Sequence, residues 1–86
     1  MNIIWKGSPK KSSSSYRKPI THVVLHWLGV GTIDTANARF QDSTIRNPDT
    51  RASAHYGISE DTIYQWVYES EVAWHCGNWE MNQCSI

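Results

Sequence analysis

The pattern of apolar and polar positions divides the chain into short extended segments and one helical stretch. Asn2 to Trp5 is a short apolar run closed by Gly7-Ser8-Pro9, which predicts a strand followed by a break. Lys10 to Lys18 holds four consecutive serines among charged residues and has little to bury, so a solvated loop ending at Pro19 is expected. Ile20 to Trp27 is rich in β-branched residues and apolar on both faces in its middle. That is the pattern of an internal strand covered on both sides. A period of two puts His22, Val24 and His26 on one face, with Val23, Leu25 and Trp27 on the other.

Gly29-Val30-Gly31-Thr32 reads as a turn, after which Thr32 or Asp34 can cap a short helix reaching about Gln41. Ala36 and Phe40, four apart, share a face of it. Asn47-Pro48-Asp49 is a second break. Alternation returns from Ala52 to Ile58, where Ala52, Ala54, Tyr56 and Ile58 face one way. Ser59-Glu60-Asp61-Thr62 then turns into Ile63 to Val67, which predicts an antiparallel hairpin. Val72 to Gly77 is a further extended segment ending at a glycine turn, and Cys84-Ser85-Ile86 reads as the opening of another strand.

Length and charge narrow the picture. A chain of 86 residues suits one small domain with a thin core, to which five Trp and four Tyr contribute much of the apolar area. Eight basic residues balance eight acidic ones, so nothing electrostatic recommends nucleic acid or an anionic membrane as partner. The local basic excess of Lys6, Lys10, Lys11, Arg17 and Lys18 is expected to be solvated surface. The N-terminus lacks the apolar core of a signal peptide, and no run approaches membrane-spanning length. The chain therefore reads as soluble. Cys76 and Cys84 match no paired zinc motif and are expected as free thiols, with a short-loop disulfide as the alternative.

The candidate chemistry lies in the histidines. His26, at the end of an apolar strand, suits a metal ligand or general base, and equally a hydrogen-bonded histidine of the core. His22 lies two positions away along the same face, too distant to share an ion, and is read as structural. His26, His55 and His75 fall on separate predicted strands and could converge only through the fold. No HExxH spacing, GxSxG elbow or glycine-rich phosphate loop is present. Cys76 beside His75 is not read as a dyad, because neighbours on a strand point to opposite faces.

Taken in order, Val-Val-Leu-His-Trp-Leu-Gly (23–29), Ser53-Ala54-His55-Tyr56 with Asp61 to Val67, and Ala73-Trp74-His75-Cys76-Gly77-Asn78-Trp79 resemble the motifs of zinc-dependent N-acetylmuramoyl-L-alanine amidases. These are the type 2 amidases related to peptidoglycan-recognition proteins and phage endolysins. The resemblance covers residues 20–86, leaving residues 1–19 as an N-terminal strand and a Ser/Lys-rich loop within a single domain. Thr62 stands where the family usually has a turn glycine, and Cys76 where it has alanine, which suggests a packed thiol. Ala54 occupies a position that is tyrosine in some relatives.

The resemblance implies an α/β fold, a mixed β-sheet with flanking helices, of which this chain holds most of the sheet and one short helix. It implies hydrolysis of the amide between N-acetylmuramic acid and L-alanine by zinc-activated water, acting on the cell wall. By the same mapping, His26 is a zinc ligand, and Trp27, His55, Trp74 and His75 are substrate-binding residues facing a muropeptide. The family's other ligands and its strand glutamate would follow Ile86, so the chain reads as an N-terminal fragment whose own catalytic residues are undefined. A peptidoglycan-binding module without catalysis is the alternative. A sheet face left uncovered would make the chain marginally stable or self-associating.

Overall fold

The apolar run Ile3–Trp5 forms strand β1, but its partner comes from far along the chain. In the computed structural model, which describes residues 2–27, 31–42 and 52–86, β1 pairs in parallel with β4 (Ile63–Gln65), with Ile3 opposite Ile63. Strand β4 pairs in turn with β3 (Tyr56–Ile58), antiparallel, in the expected hairpin. Its loop is closed by the Ser59 amide donating to the Thr62 carbonyl at 2.9 Å, without the family's glycine. The three-stranded mixed sheet has the order β1-β4-β3, and a second sheet pairs β2 (Lys11–Ser12) with β5 (Val72–Ala73). With two helices among the described residues, this is a small α/β fold. The turn at Gly29-Val30 and the break at Asn47-Pro48-Asp49 lie outside the described residues.

Helix α1 (Ile33–Gln41) starts at Thr32, whose hydroxyl accepts from the Thr35 amide while the Thr35 side chain reaches back to the Thr32 amide. Ile33, Ala36 and Phe40 form its inward stripe and pack with Trp66, Val67 and Ala73 into the core. Trp66 is the centre of that core. Its indole N–H donates to Asn37 Oδ1 at 2.8 Å, and Phe40 meets its ring edge-on at 4.8 Å. Gly57 is needed there because a Cβ would come within 2.5 Å of the Trp66 ring.

Three expectations are corrected. The first concerns residues 10–18, which are not a free loop. Lys10 is only 2% exposed; its ammonium donates to Arg39 O at 2.7 Å while Ser8 Oγ donates to Phe40 O at 2.6 Å. Ser8 thereby bonds a carbonyl at the end of α1, and Lys10 adds a second donor to Arg39 O, which already accepts from the Asp42 amide at 3.3 Å. Burial holds the Lys10 ammonium below its usual range. Lys11 pairs with Glu71 at 2.8 Å, so the basic cluster is partly structural.

The second concerns residues 20–27, which are not an internal strand. Their sheet contact is a parallel bridge between His22 and Ser85, extended by Val24 N–H donating to Ile86 O at 2.8 Å. Val23, Leu25 and Trp27 are 70%, 92% and 90% exposed. The β-branched composition made an extended backbone, but what covers a strand is supplied by other elements. The third correction is a second helix, α2 (Trp79–Gln83), capped by Asn78 Oδ1 accepting from the Met81 amide at 3.0 Å. It is too short for periodicity to reveal, although Asn78 followed by Glu80 is a helix-start signal.

Candidate metal centre

Strand β5 ends at Ala73, and hydrogen bonds fix Trp74 and Cys76 beyond it. Trp74 N–H donates to Ser53 Oγ at 3.0 Å, Trp74 O accepts from Ser53 N–H at 2.8 Å, and the Trp74 indole N–H donates to Ser12 Oγ at 3.0 Å. Cys76 N–H donates to Asn82 Oδ1 at 2.9 Å, tying this segment to α2. Gly77 then turns the chain with φ of 65°, a left-handed conformation that glycine adopts freely. His75 and Cys76 thus lie beyond the strand, where strict alternation of side chains no longer holds. Cys76 Sγ sits 3.3 Å from His75 Nδ1, which corrects the expectation that the two point apart.

His26 completes the cluster from the other side. Its Nε2 is 3.0 Å from His75 Nδ1, with the two rings edge-to-face at 5.2 Å. The donor atoms of His26, His75 and Cys76 all lie within 4.8 Å of one another. Around zinc, with Zn–N of about 2.05 Å and Zn–S of about 2.3 Å, tetrahedral edges are about 3.4 Å for N···N and about 3.6 Å for N···S. The two separations are within about 0.4 Å of those edges, so this donor set fits zinc in both type and spacing.

His55 is 2% exposed and lies 6.0 Å from the His75 ring. Its Nε2–H donates to Glu71 O at 2.9 Å, which leaves Nδ1 as a bare acceptor, buried and without a partner among the described residues. Beside these histidines opens a cleft of about 630 Å³, within the usual range for small-molecule sites. His26, Trp27, His55 and His75 line it, with Trp66 and Ala36 among the apolar walls. Trp74 does not. Its ring is anchored on β2 instead.

A family model described as N-acetylmuramoyl-L-alanine amidase matches residues 16–86. The chain belongs to that amidase family. Membership brings amidase chemistry directed at peptidoglycan as the general function. No curated protein and no solved structure matches the chain. The amidase match begins at Tyr16, yet β1 and β2 precede it and pair with β4 and β5 inside it, so the first residues are part of the same fold. No helix among the described residues is long and apolar enough to cross a membrane.

Burial favours the neutral imidazoles of His55 and His75. Desolvation chiefly, and then the nearby His26, His55 and Arg17, push His75 down to about 4. Burial also lowers His55 from the ordinary 6.5. Protons therefore bind the unfolded chain first as pH falls. Stability present above pH 6.5 is lost progressively as pH falls toward 4. For the metal-free protein the urea midpoint should hold steady above about pH 7 and drop between about 6.5 and 5, above the range where carboxylates titrate. A midpoint unchanged over that interval would contradict neutral burial of these rings.

Proposed function

We propose that the chain is a peptidoglycan hydrolase that cleaves the amide between N-acetylmuramic acid and L-alanine, with zinc as cofactor. The observation that carries this reading is the family match over residues 16–86, whose first motif contributes His26 at the rim of the cleft. When bound, zinc supplies Lewis-acid polarisation of the scissile carbonyl and ionisation of water near neutral pH. The residues of the chain do the rest. His26 holds the ion through an imidazole nitrogen. Trp27, 90% exposed on the cleft rim, offers a face for a sugar ring or peptide stem. His55, kept neutral by burial, backs the cleft wall while its Nε2–H holds Glu71 O at 2.9 Å. Trp74 supports the segment carrying His75 through its bond to Ser12.

The test is product chemistry. Purified peptidoglycan incubated with the zinc-loaded chain should gain free L-alanine amino termini, with no new reducing sugar ends. New reducing ends would indicate a glycosidase, and wall binding without new amino termini would indicate a binding module. Either result overturns the proposal.

A further inference from the structure

We infer that Arg39 makes the cleft select a muropeptide stem that carries a free carboxylate over the same stem amidated. On the amidase reading, on which this rests, the entering molecule is a muropeptide, and the cleft itself supplies the preference for charge. Helix α1 turns one stripe toward that space. Thr32, Thr35, Ala36 and Arg39 all line it, at the three- and four-residue spacings that put side chains on one helix face. Apolar side chains make up most of the remaining wall, with Leu25, Phe40 and Trp66 among them. Arg39 is exposed, and among the described residues it is the one permanently charged side chain in the lining.

No described acidic residue lines the cleft to neutralise it. Asp34, on the same helix, accepts from Tyr64 OH at 2.8 Å, and Asp42, at the C-cap, acts on the Lys10 ammonium. Burial keeps the imidazoles of His55 and His75 neutral, so they add no second positive charge near neutral pH. Apolar walls strengthen the field of a lone cation in such a space, and a planar guanidinium grips a carboxylate through two parallel N–H donors. A carboxamide of the same shape has no charge, and its NH₂ faces the guanidinium hydrogens. In a muropeptide the anion must come from the stem, because the lactyl carboxyl of the sugar is already taken up in the amide to be cut. Arg39 also stands in the last turn of α1, where a cation favours the helix dipole. That contribution alters stability and not the choice of stem.

Calorimetric titration of the metal-free full chain near neutral pH is the test. The ligands are two N-acetylmuramoyl peptides of one sequence, with carboxylates free in one and amidated in the other. The carboxylate form should bind about 10-fold tighter or more, the scale of one charge-assisted pair. Arg39→Gln should bind the two equally by weakening the carboxylate form alone, with an unchanged urea midpoint. Arg39→Lys should keep part of the preference, because it retains the charge and gives up the fork. Lys18→Gln removes the same charge from an exposed residue outside the cleft and should keep the full preference. Equal binding of both stems by the parent chain, binding of neither, a preference that survives Arg39→Gln, or one that Lys18→Gln also abolishes overturns the inference. Calorimetry needs no turnover. An intact preference without release of amino termini would therefore remove the proposed reaction and leave the selection of an anionic stem standing.

Discussion

Trp66→Ala should remove most of this protein's stability and leave a substantial unfolded fraction at room temperature. The side chain is 1% exposed, donates its indole N–H to Asn37 Oδ1, and holds Phe40 of α1 against its edge. Truncating a buried aromatic to alanine costs about 3–5 kcal/mol through lost transfer energy and the cavity left behind. A domain of this size has about 4–13 kcal/mol to lose, at about 0.05–0.15 kcal/mol per residue. Among the described residues the buried apolar set is small, comprising Ile33, Ala36, Trp66, Val67, Val72 and Ala73, which argues for the low end. The loss then equals most of the total. Urea unfolding followed by far-ultraviolet circular dichroism checks this, and a shift worth less than about 1 kcal/mol would show that Trp66 is not the keystone. Trp66→Phe keeps a ring in the cavity and gives up the hydrogen bond, so it should cost about 1–3 kcal/mol.

On the proposed amidase reaction, His26→Ala should lower the rate of amino-terminus release by at least about 100-fold. Loss of an outer-shell partner already costs 10–100-fold, and a direct ligand contributes more. His26 is exposed, so the same change should leave stability within about 0.5 kcal/mol of the parent. His22→Ala is the control. That ring sits on the same extended segment but bonds the Thr21 hydroxyl at 2.7 Å, outside the cluster. It should leave the rate within about 2-fold. More than a tenth of parental activity in His26→Ala would detach the reaction from this residue.

Local chemistry made much of the fold legible. Thr32 or Asp34 announced the start of α1, Ala36 and Phe40 announced a shared face, and alternation on either side of Ser59-Glu60-Asp61-Thr62 announced the hairpin. Each of these is decided within a dozen residues by capping, periodicity or turn geometry. Lys10 was misread for the opposite reason. A lysine among serines looks solvated until the end of α1, some thirty positions later, brings Arg39 O to within 2.7 Å of it. The segment from Ile20 to Trp27 was misread likewise, since its composition specifies an extended chain but not its neighbours.

The same division runs through the site. By itself the sequence determined the order of three motifs, the family they belong to, and His26 as the residue at the end of the first. Those are properties of residue type and spacing. Only the tertiary structure decided what stands beside His26. A strand of two residues that stops at Ala73, a glycine turn at Gly77 and the short helix after it swing Cys76 onto the side of His75 that faces His26. Ser85, sixty-three positions after His22, arrives through a backbone bridge and places its hydroxyl 3.0 Å from His75 Nε2. No local rule contains that information, because hydrogen-bond directions depend on groups that meet only when the chain has folded.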